Sequence, residues 1–468
     1  MMGKLNQSQP KLFYHNVSLE SRVPQDHPLR KIKQHINFNF IRSEVADLYG
    51  IRGNQSVDPV VILKFMFLLY YENVDSERAL AKQLPMRLDW LWFCGYDIDD
   101  VTPNHSVISK ARSRWGQDVF STFFTNILLQ CRDAGLIDGE VIHIDSSMID
   151  ANASKDSLRA QFRIVGHSLY EKLDDSVEPQ KLQKRVSTTD PDARLGRKYG
   201  KTTLGYKDHR AVDDKHGIVT VTVTTAANQT DGNLMTEVIE EHHKNTDVKV
   251  KTVAADKAYG IGENYKYLHD NNIMPCISHK RKVCNRKSDF DNDKFIYDRL
   301  SDCYICPAGN KLRRIGLKKA RNAVIYKADR DTCKQCIYFK ECVTGKLTGR
   351  QIQRNLNQCY IDRADNCMSP YQRKRLMSRR KSKAEGSFAD AVNNHNFKRA
   401  RHRGLQKVTI QNLIIAAIQN IRKLMRHIYR KPARSIAVLA KTLVNLVKIY
   451  LKNVFAAEKT ISERILTF

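Results

Sequence analysis

A succession of short β-branched segments between residues 136 and 280 constrains the fold of this chain more than any other feature. The segments that predict strands are VIHID, YKDHRAVD, IVTVTVTTA, VKVKTVAAD and IMPCIS. The turn DKHG joins the second and third into a hairpin, and the helical segments DGNLMTEVIEEHH and IGENYKYLHDNN flank the fourth. Three strands followed by alternating helices and strands is the order of the RNase H-like fold. We therefore predict an α/β RNase H-like core whose first part is residues 136–280.

Three acidic residues occupy positions suited to binding a hard cation. Asp145 and Asp256 each follow a β-branched run, so we expect both at the ends of buried strands, whereas Glu385 lies in a Lys/Arg/Ala-rich segment that predicts a helix. Ligands collect where the strands of an open α/β sheet end. Two divalent cations such as Mg²⁺, held about 4 Å apart by carboxylates, can activate the attacking oxygen and stabilise the leaving oxygen of a phosphodiester. We predict that Asp145 bridges two such ions and that Asp256 and Glu385 each complete one side.

A simpler interpretation competes for each of these acids, because most of the 50 acidic residues in the chain are expected to be solvated surface charges. Asp150, five residues after Asp145, is better suited to local capping. Asp208, Asp213 and Asp214 belong to the predicted hairpin and its turn. The combination of two strand-borne carboxylates with one helix-borne carboxylate favours a shared catalytic metal site.

The net charge of the chain indicates a polyanionic partner. Lysine and arginine number 79 against 50 acidic residues, which leaves a formal charge of +29. Nucleic acid fits this charge better than a membrane does, because no apolar run reaches the roughly 18 residues of a transmembrane helix. The first residues lack the apolar core of a signal peptide. We therefore expect a cytoplasmic protein that binds nucleic acid and no membrane.

Residues 1–135 predict an all-α domain of DNA-binding type. Asp58 with Pro59 and, further on, Ser76 have the residue types that begin helices. The segment TPNHSVISKARSRWG predicts another helix, which begins at Thr102 and Pro103. This layout resembles a helix-turn-helix, whose last helix would enter a DNA groove with its basic residues, Lys110, Arg112 and Arg114. A structural helical bundle with a solvated basic face is an equally good interpretation.

Cysteines are concentrated in the polar, basic segment 281–360, which we predict to be an insertion that interrupts the core. Two CxxC pairs are followed by one further cysteine. Such pairs supply the thiolates of a tetrahedral structural Zn²⁺ site, which suits a long chain without an export signal better than disulfides do. Free cysteines in an insertion are the alternative. The preferred zinc ligands are Cys306, Cys333, Cys336 and Cys342, with Cys303 as a substitute.

Basic residues surround Glu385 in residues 361–430, which we predict to complete the core with the amphipathic helix VTIQNLIIAAIQNIRKLMRHI. Their side chains could neutralise phosphates beside the acidic site, and a solvated helix face is the alternative. The residues predicted to contact DNA here are Arg379, Arg380, Lys381, Lys398, Arg399, Arg401 and Arg403. Residues 431–468 predict a basic, helical, amphipathic tail.

Several motifs in order along the chain resemble the DDE-type transposases of bacterial insertion sequences. They are HIDSSMIDANAS, GYKDHRAVDDKHGIV with TTAANQTDGN, VAADKAYG, the CP…CxxC…C segment and AEGSFADA…NNHNFKRARHRGLQKV. The resemblance covers almost the whole chain. It implies that Asp145, Asp256 and Glu385 are the DDE triad and that Mg²⁺, with Mn²⁺ as a substitute, is the cofactor.

The resemblance also implies a reaction and its partners. The substrate would be double-stranded DNA, as the terminal inverted repeats of the element and as the target. Hydrolytic nicking at the element ends would precede attack of the 3′-hydroxyl on target DNA, within a homodimer or larger synaptic complex at the bacterial nucleoid. A catalytically weakened or domesticated DNA-binding protein and a metal-dependent nuclease are the alternatives.

Three positions depart from the pattern of related transposases. These often carry Tyr and Arg seven and four residues before the Glu, and Lys seven residues after it. Here the three positions hold Ser378, Lys381 and Val392. Lys381 keeps the positive charge, whereas Val392 cannot contact a phosphate. Either a nearby base such as Lys398 substitutes for it, or this copy of the enzyme is weakened.

Overall fold

The computed structural model of the chain describes residues 18–50, 52, 54–161, 184–198, 200–277, 290–319, 322–343 and 349–429. The predicted basic tail, residues 431–468, lies outside the described residues. By internal contacts, Met1–Ile421 form one unit and Arg422–Phe468 form a second.

The N-terminal region is helical, as its sequence predicts. Its described residues form α1 (Leu19–Arg22), α2 (Pro28–His35), α3 (Ile41–Val45), α4 (Pro59–Tyr71), α5 (Glu77–Gln83), α6 (Leu88–Cys94), α7 (His105–Trp115) and α8 (Asp118–Asp133). Asp58 caps α4 by accepting a hydrogen bond from Val60 N at 2.9 Å, and Ser76 caps α5 in the same way. The predicted start of α7 was wrong: Asn104, rather than Thr102, satisfies the first-turn donor at Ser106 N, so the helix begins at His105.

The five predicted strands and one that the sequence did not predict, Arg194–Lys198, assemble into a six-stranded sheet. Its strands are β1 (Val141–Asp150), β4 (Arg194–Lys198), β5 (Lys201–Asp213), β6 (Val219–Ala226), β7 (Thr252–Ala255) and β8 (Met274–Ile277). Strand β5 runs antiparallel to β1 on one side and to β4 and β6 on the other, and β1, β7 and β8 are parallel to one another. A separate two-stranded ribbon contains β2 (Leu158–Gln161) and β3 (Lys184–Ser187).

Helices cover both faces of this sheet. One face packs against α9 (Met235–Thr246), α10 (Gly262–Asp270) and α13 (Gln358–Asn366) through a core that includes Ile142, Ile144, Val253 and Ala255. The other face packs against α14 (Pro370–Arg380), which contacts Ala254 and Cys276 through Leu376 and Met377. Parallel strands are ordinarily buried on both faces, which explains why Val253, Ala254 and Ala255 of β7 form a continuous, buried apolar run.

A long helix, α16 (Leu405–Ile428), ties the same face together through buried amides. Asn420 donates to Val219 O at 2.8 Å and accepts from Val219 N at 2.9 Å, at the start of β6. Asn412 donates to Thr224 Oγ1 at 2.8 Å, further along the same strand. The amphipathic helix predicted here is confirmed, and its polar stripe satisfies the edge of the sheet instead of facing water.

The cysteine-rich segment folds as a second sheet, which the sequence did not predict. Its strands are β9 (Ile296–Asp298), β10 (Cys303–Ile305), β11 (Lys311–Lys318), β12 (Ala323–Ala328) and β13 (Gln351–Asn355), antiparallel and in the order β13-β12-β11-β10-β9. Tyr304, Leu312, Tyr326 and Ile352 form its core. Two short helices, α11 (Arg330–Lys334) and α12 (Phe339–Cys342), lie between β12 and β13.

Polar contacts connect the N-terminal helices to the residues that precede α16. Arg401 donates to the carbonyls of Leu69 and Val74, and His395 Nδ1 contacts Tyr70 O at 2.7 Å. These residues close the end of α4 with side chains from the C-terminal part of the chain. Among the described helices, none has the length and apolar character needed to cross a membrane.

Candidate active site

Asp145 and Asp256 lie side by side on neighbouring parallel strands. Ile144 and Ala255 are the last register partners of β1 and β7, and each aspartate is the next residue along its strand. Neighbouring strands are about 4.8 Å apart, so the two carboxylates emerge at the same edge of the parallel pairing. Asp256 follows β7, as predicted. Asp145 does not end its strand, however, because β1 continues to Asp150 by pairing with β5.

Alternation along the strands places both aspartates on the face that α14 covers. Ile144 and Ala255 belong to the core on the opposite face, and successive side chains of a strand point to opposite sides. Ala254, two residues before Asp256, packs beneath α14. Asp145 and Asp256 are both half-buried, which leaves their carboxylates accessible to a small cation.

Glu385 reaches this edge from a helix that changes its pitch. The chain runs as α14 to Arg380, forms one π-helical turn over Lys381–Glu385, and continues as α15 (Gly386–His395). The sequence predicted an ordinary helix here, and the π turn is a correction to it. A π turn contains one more residue than an α turn, so residues five apart lie above one another. Glu385 is exposed, with 46% of its side chain accessible.

Arg380 joins Glu385 to Asp145. Its Nη2 donates a hydrogen bond to Glu385 Oε1 at 2.7 Å, and its Nη1 lies 3.3 Å from Asp145 Oδ2. Arg380 itself is only 7% exposed. One buried guanidinium therefore lies between two of the three predicted metal ligands. Its charge suggested a DNA contact from sequence, but its burial directs it to the carboxylates.

The neighbouring arginine fastens α14 to the sheet. Arg379 Nε donates to Asp214 Oδ1 at 2.6 Å, and Arg379 Nη2 donates to Asp214 O at 2.9 Å. His143 Nε2 donates to the same carboxylate oxygen at 2.7 Å. Burial raises the pKa of Asp214, but the hydrogen bonds from His143 and Arg379 outweigh it and hold that pKa below its usual range. Asp214 is therefore ionised, and it fixes the end of α14 against β1.

A second buried cation supports the helix that follows Glu385. Arg210 is the register partner of Asp145 on β5 and is fully buried. Its Nε donates to Asp208 Oδ2 at 2.7 Å, and its Nη1 donates to Ser387 Oγ at 3.1 Å and to Gln419 Oε1 at 2.9 Å. Sequence reasoning missed this role. The available signal was an acid and an arginine two residues apart in a strand otherwise expected to be buried.

Two comparisons with family models bear on this geometry. Residues 17–114 match a transposase domain (DUF772), which covers most of the N-terminal helices. Residues 305–425 match a transposase DDE domain, which contains Glu385 and the helices around it. These two domain matches support a DDE-type transposase of an insertion sequence. The chain is accordingly an enzyme that catalyses DNA cleavage and transfer. No curated protein matches it.

Basic residues of the transposase divide into exposed and internal groups. Lys110, Arg114, Lys381, Lys398, Arg399 and Arg403 are exposed. Arg112 is 3% exposed, forms an ion pair with Glu77 and contacts His402, so its predicted place on a DNA-binding face does not agree with the structure. Arg401 is likewise engaged with backbone carbonyls near the end of α4.

A group of exposed cations lies along the end of β1. Asp150 N donates to Lys398 O at 2.8 Å, and Ala400 N donates to Asp150 O at 2.8 Å, so residues 398–400 run beside that strand. Lys398 Nζ donates to Ser147 Oγ at 2.8 Å, two residues after Asp145. Arg403 Nε donates to Asn152 O at 3.0 Å. A basic segment therefore borders the acidic edge.

Four of the five clustered cysteines line one pocket of the second sheet. They are Cys306, Cys333, Cys336 and Cys342. Burial raises the pKa of the Cys342 thiol, Arg350 opposes that change, and the other three cysteines add to it. Cys303 is buried in β10 and does not line the pocket. All five are free thiols in the structure.

In the part of the chain that the structure describes, no group of three or more His, Cys, Asp or Glu side chains is spaced to hold a metal ion. DDE transposases in general use divalent metal ions. The donor set of Asp145, Asp256 and Glu385 consists of carboxylates, which suits a hard divalent cation. The donor chemistry therefore fits a divalent cation, and the Arg380 guanidinium lies between Asp145 and Glu385.

Proposed function

We propose that this transposase cleaves DNA at the ends of its insertion sequence and joins the resulting 3′-hydroxyls to target DNA, with Asp145, Asp256 and Glu385 as its catalytic carboxylates. The observation that carries the proposal is the register of β1 and β7, which sets Asp145 beside Asp256. Arg380 connects that edge to Glu385. The strand register and the contacts of Arg380 support grouping these three acids, which lie far apart in sequence.

The order and direction of the strands support an RNase H-like core. Strands β6, β5, β1, β7 and β8 lie side by side in that order, antiparallel in the first part and parallel in the second. This is the arrangement expected from three strands followed by alternating helices and strands. In our proposal the core contains residues 136–280 and 361–430, interrupted by the cysteine-rich insertion 281–360 and preceded by a DNA-binding helical domain, 1–135.

Each carboxylate has a place in the proposed reaction. Bound Mg²⁺, or Mn²⁺ in its place, would activate the attacking oxygen and stabilise the leaving oxygen of the phosphodiester. Asp145, central in the sheet, would hold both ions, and Asp256 and Glu385 would each hold one of them. Asp256 Oδ1 accepts a hydrogen bond from Lys257 N at 2.7 Å, which orients that carboxylate.

Exposed cations beside the carboxylates fit the phosphate backbone of DNA. Lys398, Arg399 and Arg403 border the end of β1, and their charges would neutralise phosphates on either side of the reacting bond. Lys110 and Arg114 offer a second basic surface on α7. We propose that the two surfaces hold the terminal inverted repeats and the target, within a homodimer or larger synaptic complex.

Cleavage of a labelled duplex that carries an element end tests the catalytic assignment. We expect Mg²⁺-dependent cleavage by the unchanged protein, none by Asp145→Asn or Asp256→Asn, and DNA binding by all three. Asp150→Asn is the matched control, because Asp150 is an exposed acid on the same strand whose contacts with Lys398 and Ala400 are made by its backbone. Cleavage that survives in both active-site variants would refute the assignment.

We also propose that the cysteine pocket holds a structural Zn²⁺ through Cys306, Cys333, Cys336 and Cys342. The support is their convergence on one pocket and the Cys306 turn, in which Asn310 N donates to Cys306 Sγ at 3.2 Å. Backbone donors to a sulfur stabilise a thiolate, the form that binds zinc. Elemental analysis of the purified protein should find one Zn²⁺ per chain, and a folded, zinc-free protein insensitive to chelators would refute it.

A further inference from the structure

We propose that Arg380 is an internal cation that holds Asp145 and Glu385 together in the metal-free transposase and competes with divalent cations for them. This inference rests on the proposed catalytic role of those carboxylates. Metal binding would then require the Arg380 guanidinium to leave Asp145. The Arg380 side chain acts as a gate on the metal site. In the absence of DNA it holds the protein in a state with low affinity for divalent cations.

The contacts of Arg380 show how the guanidinium is held. Nη2 makes a hydrogen bond of 2.7 Å to Glu385, whereas Nη1 approaches Asp145 to 3.3 Å as an ion pair without hydrogen-bond geometry. Buried Nε and Nη1 have no hydrogen-bond partner among the described residues. A guanidinium can donate five hydrogen bonds, and a buried donor left unsatisfied costs free energy. Arg380 is therefore held by charge and only in part by hydrogen bonds.

The π turn makes this arrangement possible. Residues five apart in a regular α-helix point about 140° away from each other, because each residue turns the helix by about 100°. The π turn over Lys381–Glu385 brings Arg380 and Glu385 onto the same side. A side chain that served only to fasten the helix would not need this alignment. Arg379 already fastens it to Asp214.

Charge explains why the cation and the metal compete. Two carboxylates directed at one small space repel each other unless a positive charge lies between them. Arg380 supplies one such charge, and a divalent ion supplies two from a smaller volume. The guanidinium contacts Asp145 Oδ2 and Glu385 Oε1, so a metal that binds either of these oxygens would have to displace it from that oxygen.

Mn²⁺ binding to the full chain without DNA, measured by titration calorimetry, tests the inference directly. Arg380→Gln removes the competing charge, so Mn²⁺ should bind roughly tenfold tighter or more, the size expected for loss of a charge-assisted contact. Arg380→Lys should bind Mn²⁺ more tightly than the unchanged protein by a smaller factor, because one ammonium cannot contact two carboxylates as a fork does. Arg375→Gln is the matched control, an exposed arginine on the same helix, and should leave Mn²⁺ affinity unchanged.

The outcomes separate this inference from the proposed function. Unchanged or weaker Mn²⁺ binding by folded Arg380→Gln overturns the role of Arg380 as a competitor. If that variant does not fold, the same result with Arg380→Lys overturns it. Asp256→Asn measured alongside must weaken Mn²⁺ binding. If it does not, the carboxylates are not the metal site and the proposed function fails first.

Discussion

Arg210 Nη1 donates a hydrogen bond to Ser387 Oγ at 3.1 Å, which joins the strand beside Asp145 to the helix that carries Glu385. Gln419, whose Oε1 accepts from the same Arg210 Nη1, donates from Nε2 to Ser387 O at 2.8 Å. The Arg210 guanidinium also lies over the rings of Phe388 and Phe397, at 4.7 and 4.9 Å from their centroids. The position of Glu385 therefore depends on a fully buried cation in the sheet.

Replacing Arg210 should destabilise the protein strongly. Arg210→Met leaves Asp208 buried without its partner, and the free energy of unfolding should fall by about 3–5 kcal/mol. Urea denaturation measures this loss. Arg210→Met with Asp208→Leu removes both charges and should recover a large part of it. A single variant as stable as the unchanged protein would show that Asp208 is satisfied by Thr222 alone.

Acid should destabilise the fold through His242. Its Nε2 lies 3.1 Å from Gly139 O, and burial lowers its pKa to about 4 from the ordinary value of 6.5. As the pH falls below about 6.5, the unfolded chain binds a proton that the folded chain does not bind until about pH 4, so stability falls across that window. His242→Gln keeps a donor for Gly139 O without titrating, and urea midpoints at pH 7 and pH 5 should differ less in this variant. An equal difference would contradict the prediction.

DNA affinity should depend on the exposed cations of α7, Lys110 and Arg114, and not on the buried Arg112. Lys110→Gln and Arg114→Gln should each weaken DNA binding and reduce the slope of log affinity against log salt by about one. Fluorescence anisotropy over a salt series measures both quantities. Arg132→Gln is the control and should change neither, because Arg132 is a half-buried arginine on α8 that pairs with Asp133 and Asp247. Equal slopes for all three variants would exclude α7 as a DNA contact.

The zinc content of variants should distinguish the cysteines that line the pocket from Cys303, which lies outside it. Cys336→Ser removes a thiolate from the pocket and should lower bound Zn²⁺ well below one per chain. Cys303→Ser should keep full zinc, because Cys303 lies in β10 outside the pocket. Loss of zinc in both variants would return Cys303 to the ligand set.

Local sequence was a good guide to the central sheet and to two of the three acids. Burial alternates with period two along a strand, so β-branched runs identified β1, β5, β6, β7 and β8 without any long-range information. The insertion sheet was missed because its strands are short and carry many polar residues. Only the AVIYKA run of β12 shows a strand-like apolar pattern.

The roles of the basic residues could not be predicted from sequence. Arg379, Arg380 and Lys381 are consecutive, yet the first fastens a helix, the second lies between carboxylates and the third is exposed. Charge is a property of each residue alone, whereas burial depends on which side of the helix meets the sheet. The π turn sets that orientation, and it forms through packing of α14 and α15 on strands far away in sequence.

Sequence by itself determined the order of strands and helices in the core, the positions of its acids and the family that its motifs resemble, because these depend on residue type and short-range periodicity. Tertiary structure alone decided that Asp145 lies beside Asp256, that Arg380 reaches Glu385 and Asp145, and that four of five cysteines share one pocket. In each case strand register and helix packing, and not the separation along the chain, set the distance between the residues.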